Sequence, residues 1–340
     1  MIIAQEAGGI PFGLKKGFEN LGFICLLETY DETIFSNKHS LIERIYHRIA
    51  DPGYQKEIKL LFNKTVEKYG QEISDGGFSF VLIMRGNEIE EKNLNTLNRR
   101  KCNLFTYLYD PLTDSTIQKQ CADISDFIFC ADKKDCSLYK NNSCWLPLGY
   151  DDEVYFPSTE EKDIDIFISG SISNRYFKRR EIVEKIGKSS IAKNKKIFFI
   201  GSTGFSLTDL KVNVGKINWI AKRVSHFEIA NYQRRAKICV NIHRDDSDSI
   251  VNPSFFSIPG SGSCQIAEKR DSLKYFMTPE KEYVEFEKFE QLIILLEKLL
   301  EDEEKRNLIS LNSFQKVKRE HTLLCRAKYI IQKWREINNA

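Results

Sequence analysis

The 340-residue sequence contains no run of about 18 apolar side chains, so no segment is suited to cross a bilayer as a helix. Its opening, MIIAQEAGG, lacks the basic region and the apolar length of a secretory leader. The expected location is the cytoplasm, with no stable membrane insertion. Cysteines number nine, an odd count, scattered along the chain and never spaced as CxxC. That pattern argues against a disulfide framework and against the usual zinc spacings. Cys130, Cys136 and Cys144 come nearest to a metal cluster, yet Cys130 and Cys144 fall inside apparent strands, and reduced thiols are expected. A complete dinucleotide fingerprint is also missing. GSTGFS (201–206) holds two of the three glycines, and no acidic residue follows about 20 positions on at a strand end, so a phosphate-binding or plain turn is expected there. Repeats and low-complexity tracts are absent.

What is present is alternation. FICLL (23–27), FSFVLIM (78–84), NLFTYLY (103–109) and DFIFCA (126–131) are nearly continuous apolar runs, as strands buried on both faces of a parallel sheet require. The segments between them have helical patterning. In IPFGLKKGFENLGF, Phe12, Leu14, Phe18 and Leu21 share a face and Gly22 closes the helix. A polar, aperiodic stretch, DDEVYFPSTEEKD (151–163), suits a linker. Beyond it the alternation restarts with IDIFIS (164–169), KIFFI (196–200), ICVNI (238–242) and CQIA (264–267). Ser225 and Glu228 form a capping box that predicts a helix to about Ala236. FEQLIILLEKLL (289–300) is amphipathic, and the final segment repeats Leu323, Leu324, Ala327, Ile330, Ile331 and Trp334 at helical spacing.

The predicted fold is α/β: two Rossmann-like, doubly wound domains facing a cleft. Residues 1–155 form the first domain, residues 156–320 the second, and 321–340 a terminal helix crossing back to the first. Such sheets bind ligands at the carboxyl ends of their strands. In NPSFFSIPGSGSCQIAE (252–268), Asn252 is a strong N-cap and Pro253 suits the first helical position, while Pro259 ends the helix early. A helix so short still exposes amides and the positive end of its dipole to an anion; the plain alternative is an ordinary capped connector.

The segments ANYQRRAKICVNIHRDD and NPSFFSIPGSGSCQIAEKRDSLKYF resemble the core of glycosyltransferases of GT-B architecture, in the branch similar to the spore-maturation protein CgeB. The similarity takes in DIDIFISGSISNRYFKRRE, VLIMRGNEI, LFTYLYDP and NNSCWLPLGYDDEVYFP. It implies a metal-independent transferase needing no cofactor, which moves a sugar from a nucleotide donor, UDP- or GDP-linked, to a glycan, a protein or another acceptor. Two carboxylates of the family pattern are replaced: Ser249 and Ser257 stand where glutamates belong, and Ser254 stands in place of an arginine. The nucleotide is then held by amides and serine hydroxyls, or the donor has changed, or transfer has been lost and a silent nucleotide- or sugar-binding protein remains. A nicotinamide-dependent oxidoreductase, resting on GSTGFS, is the reading from another class.

Charge supports the donor assignment. The first 155 residues carry 18 basic and 23 acidic side chains, the remainder 33 and 25. A basic second half suits a diphosphate, and an acidic first half disfavours a nucleic-acid acceptor. The candidate donor-site residues are Gly170, Ser171, Arg175, Gly201, Asn252, Ser254, Phe256 and Ser257. Gly8 and Gly9 are assigned to an acceptor-side loop. His243 and Asp110 each follow a strand, in loops where functional residues collect, and they are the candidates for donor capture and general base, with Asp114 and Asp245 behind them.

Overall fold

A computed structural model of the protein describes residues 1–5, 8–30, 51–112, 116–173, 176–203, 212–222, 224–244 and 248–339, with backbone only for 51–55. In chain order its regular elements are β1 (Ile2–Ala4), α1 (Ile10–Glu19), β2 (Leu27–Thr29), α2 (Asp51–Lys68), α3 (Gly70–Asp75), β3 (Phe80–Met84), α4 (Glu91–Asn98), β4 (Asn103–Leu108), α5 (Lys119–Asp123), β5 (Phe127–Cys130), α6 (Lys133–Tyr139) and β6 (Ser143–Trp145). There follow β7 (Ile164–Ser169), α7 (Phe177–Lys188), α8 (Ile191–Asn194), β8 (Ile197–Ile200), β9 (Asn218–Ile220), α9 (His226–Arg235), β10 (Ala236–Asn241), α10 (Ser254–Gly260), β11 (Cys264–Glu268), β12 (Val284–Phe286), α11 (Phe289–Glu301), α12 (Glu303–Glu320) and α13 (Leu323–Asn338).

The strands form two six-stranded sheets, ordered β2-β1-β3-β4-β5-β6 and β12-β11-β10-β7-β8-β9, with every neighbouring pair parallel. All of β3 and β5 is buried, as expected where helices cover both faces of a parallel sheet. The one acidic residue in β7, Asp165, lies at its start, where it accepts from the Lys196 amide at 2.8 Å and from Lys237 Nζ at 2.8 Å. Of the expected strand 23–27 only Leu27 pairs, as the start of the edge strand β2. Phe23 is drawn off instead into an edge-to-face contact with Trp334, 6.1 Å between centroids, and Ile24 is fully exposed.

By its internal contacts the chain divides into two compact units, Met1–Leu148 with Leu323–Ala340, and Gly149–Thr322. The terminal helix thus shares the core of the first sheet. It packs on α1 across Gly17, where a Cβ would lie 3.0 Å from Ala327 Cβ and 3.1 Å from the Leu323 carbonyl, so a larger residue would have to push α13 back by a few tenths of an ångström. The helical stripe is not purely apolar. Leu324 is half-buried, while Arg326 is buried and donates from Nε to the Pro147 carbonyl at 2.6 Å.

The first boundary falls at 148/149 rather than 155/156 because Tyr150 is committed to the second unit. Its ring is fully buried, its N–H donates to the His321 carbonyl at 3.1 Å, and it bridges Thr322 in parallel. A Cβ on Gly149 would stand 2.7 Å from that carbonyl and 3.0 Å from the Thr322 carbonyl. Gly149→Ala is therefore expected to lower stability by about 1–3 kcal/mol, the usual cost of overpacking against backbone. Chemical denaturation would read this as a lower midpoint with an unchanged slope.

Candidate functional site

In an open parallel sheet, the loops diverge where the strand order reverses, and the crevice they leave at the carboxyl ends receives ligands. In the second sheet that point lies between β7 and β10. Gly170-Ser171 leaves the first strand and Ile242-His243 the second. Arg179, in the first turn of α7, joins the two ends. Its Nη1 donates to the Ser171 carbonyl at 2.9 Å, and Nη2 and Nε donate to the Ile242 carbonyl at 2.7 and 3.2 Å. Gly170, at φ +128°, makes room for it, since a Cβ there would meet Nη1 at 2.8 Å. Gly201 has a similar packing reason, because its Cβ would lie 2.1 Å from the Gly170 carbonyl. The Ser171 hydroxyl donates to the Ser202 carbonyl at 3.2 Å, joining the two strand-end loops.

His243 is 1% exposed, and neither ring nitrogen has a hydrogen-bond partner. Burial, reinforced by the charges of Arg270 and Arg179, pushes its pKa well below the ordinary histidine value. The imidazole is therefore neutral at pH 7. On the next strand, Glu268 ends β11, 5% exposed, and its carboxylate pairs with Lys178 of α7 through Oε1. Arg270, also buried, holds Nη2 3.7 Å from Glu268 Oε2 and donates to the Arg244 carbonyl. Two buried guanidiniums, Arg179 and Arg270, with the half-exposed Lys178, one carboxylate and one neutral imidazole thus occupy the strand ends.

The short helix lies beside this cluster, one residue later than expected. Pro253 takes the N-cap position, and Pro259 sits inside the last turn. Asn252 does not point its amide outward. It exchanges two hydrogen bonds with Asn241 at the end of β10, at 2.9 and 3.1 Å, and its Oδ1 accepts from the Phe255 N–H at 3.1 Å. Ser254 remains half-buried at the first helical position. Ser257 faces inward, buried and within 3.4 Å of the Gln233 side-chain amide. Phe256 is fully buried, stacked on His321 at 4.5 Å and edge-on to Phe276. The structure accordingly brings Gly170, Ser171, Asn252 and His243 to one crevice, and turns Phe256 and Ser257 into the packing beneath α10. Arg175, Asp114, Asp245 and the part of GSTGFS beyond Thr203 lie outside the described residues.

The first sheet reverses between β1 and β3. Gly8 and Gly9 follow β1 with φ of +60° and +82°, and Gly9 is the N-cap of α1. Nothing would obstruct a Cβ on Gly8, so its backbone angle alone demands glycine. Arg85 ends β3 in the left-handed region at φ +69°, an uncommon state for a non-glycine residue. Its Nη1 donates to Gln5 Oε1, and its Nε lies 3.4 Å from Asp110 Oδ2. Tyr109 fixes the same corner, its hydroxyl donating to the Gln5 carbonyl at 2.9 Å. Asp110 is thus one of three polar side chains converging from the ends of β1, β3 and β4.

Sequence reasoning missed Arg85, Lys178, Arg179, Glu268 and Arg270. A signal was available for two of them, since Glu268 closes a wholly buried strand and Arg270 follows it at once.

Residues 179–332 match the family described as glycosyl transferase-like, a span that contains the crevice from Arg179 to Arg270. No curated protein is similar to the chain in sequence. Among solved structures it is similar to HepE from Anabaena in complex with UDP-glucose, with a TM-score of 0.65 and 10% identity over 98% of this chain and 99% of that one. A glycosyltransferase from Rickettsia africae aligns with a TM-score of 0.60 and 10% identity over 99% and 98% of the two chains. Sucrose-phosphate synthase from Thermosynechococcus elongatus gives 0.59 and 12% identity over 84% and 80%. At these identities the likeness is one of fold, the two-sheet α/β architecture of GT-B glycosyltransferases. No helix among the described residues is long and apolar enough to cross a membrane.

Proposed function

We propose that the protein is a glycosyltransferase that moves a sugar, a hexose or related unit, from a nucleoside-diphosphate donor to a glycan, protein or other acceptor, within the CgeB-like branch and without a metal. The observation that carries this reading is that the glycosyl transferase-like match takes in the β10 and β11 strand ends together with the buried cations Arg179 and Arg270. Breaking the glycosidic bond leaves negative charge on the diphosphate. Lys178 and Arg270 stand where that charge would be met, already fixed by their partners, so little reorganisation is needed as it develops. Neutral His243 offers a donor and an acceptor to sugar hydroxyls without adding charge. Asp110, on the first unit, is the candidate base for the acceptor hydroxyl.

A silent nucleotide-binding protein is the second reading. It draws support from Ser257, which stands in place of a family carboxylate and whose hydroxyl is turned to Gln233. Thermal shift separates binding from its absence. A donor at 100 times its dissociation constant adds about 2.7 kcal/mol of stability, so UDP-glucose, GDP-mannose and NAD should give clearly different melting temperatures. Stabilisation by NAD alone would overturn the transferase reading. Release of nucleoside diphosphate from the stabilising sugar nucleotide then distinguishes an enzyme from a silent binder.

A further inference from the structure

Independently of the transferase reading, we infer that the protein associates with a second copy of itself through the outer face of α12, the two helices lying antiparallel. α12 is held to the second unit by Arg306, Ile309, Ser313 and Val317, all buried. At about 3.6 residues per turn, the stripe on the opposite side is Glu304, Leu308, Leu311, Gln315 and Lys318, at alternating spacings of four and three, and all five are exposed. A single exposed leucine is ordinary on a protein surface. Here two stand one turn apart in the middle of the stripe, 57% and 53% exposed, with half-buried Phe314 at their flank. More than half of each leucine thus faces water, where it adds little to the packing beneath.

Charge identifies the occupant. At the N-terminal end of α12 a cavity of about 600 Å³ is lined by the four carboxylates of residues 301–304 against two ammoniums, those of Lys298 and Lys305. The C-terminal end carries Lys316, Lys318 and Arg319 against the single carboxylate of Glu320. Acid first and base last also suit the helix's own dipole, but the dipole asks nothing of the leucines between them. Lys318 lies over the Phe314 ring at 5.5 Å, and neither it nor Glu304 forms an ion pair among the described residues. A face that runs acidic, apolar and basic is complementary to itself when reversed. A two-fold axis through the middle of the helix sets leucine against leucine and each acidic end against the other copy's basic end, whereas a parallel pair would set like charges together. The 18-residue helix offers a face about 27 Å long, small for a protein interface, so the dissociation constant is expected to be on the order of 10–100 µM.

Sedimentation equilibrium of the full chain between about 1 and 500 µM is the test, and the average mass should rise from one chain toward two across that range. Leu308→Glu combined with Leu311→Glu should melt as wild type does and associate at least about 10-fold more weakly. Two charge variants fix the direction: Glu303→Lys with Glu304→Lys, and Lys318→Glu with Arg319→Glu. Each alone carries one sign at both ends and should self-associate at least about 10-fold more weakly than wild type. An equimolar mixture of the two should regain wild-type association, because in an antiparallel pair every end then meets one of opposite sign. A wild type that stays monomeric at the highest concentration overturns the inference. If the leucine variant of such a monomer also melts lower, a segment of the same chain covers the face. A dimer that persists in the leucine variant places the contact elsewhere and overturns it too. So does a mixture of charge variants that associates no better than its components, since a parallel or unrelated contact gains nothing from mixing. Should the leucine variant lose its cooperative melt, the charge variants and their mixture decide alone.

Discussion

Arg179→Leu is expected to remove about 2–6 kcal/mol of stability, because two carbonyls that the guanidinium satisfies would be left buried without a donor, at roughly 1–3 kcal/mol each. Those carbonyls, of Ser171 and Ile242, belong to the two strand ends that diverge at the crevice. Arg179 therefore acts as a clip across the site. Set against a total stability of about 5–15 kcal/mol for a domain, the loss is a large share of what keeps the protein folded. Arg179→Lys should recover only part of it, since a single ammonium cannot reproduce a planar fork reaching two acceptors. The clip also bears on His243. With Arg179 gone, one of the two charges holding the imidazole neutral disappears, and its pKa should rise while burial still keeps it low. Urea denaturation measures the first effect, and NMR titration of the histidine in a folded Arg179→Leu protein measures the second. A Leu variant as stable as wild type would mean that water or a neighbouring side chain supplies the donors.

The strand cores and the chain order were legible in the sequence because burial on both faces leaves an unbroken apolar run. IDIFIS is β7 residue for residue, and the Ser225 cap holds as expected, its hydroxyl accepting from the Glu228 N–H at 3.2 Å. Edges were less legible. FICLL looked like a strand since aromatic and aliphatic residues follow each other there, but it lies beside an edge where only three residues pair, and Phe23 is better satisfied against Trp334. The site was half legible for a related reason. A glycine or a capping asparagine announces a backbone demand, and Gly170, Gly9 and Asn252 all meet one. Whether a serine or phenylalanine on a short helix faces the ligand or the core depends on the helix's rotation, which seven residues containing a proline do not encode. Ser257 and Phe256 went inward for that reason. Arg179 and Lys178 were hidden because long charged side chains in a polar segment look like a solvated face, and only the tertiary fold reveals that their partners lie 63 or 90 positions away.

Asp110→Asn is expected to lower turnover by at least about 100-fold and to leave nucleotide binding unchanged, the pattern of a group that acts on the acceptor in the transition state. The structure makes this separable from a stability effect. Asp110 and Arg85 are both partly exposed and stand 3.4 Å apart, so their ion pair contributes about 0–1 kcal/mol. A 100-fold fall in rate corresponds to about 2.7 kcal/mol in the barrier, more than the pair can supply. Asparagine keeps the size and an oxygen that can accept from Arg85, and removes the negative charge together with the ability to take a proton. Arg85, held at positive φ and tied to Gln5, would then fix the carboxylate rather than do chemistry itself, and Arg85→Lys should cost turnover less than Asp110→Asn does. The measurement is steady-state turnover with a confirmed acceptor, beside calorimetric binding of the nucleoside diphosphate. Near-native turnover in Asp110→Asn would reduce the Gln5–Arg85–Asp110 corner to a structural brace across three strand ends, and a transfer with retention of configuration, needing no protein base, would become the better account of the reaction.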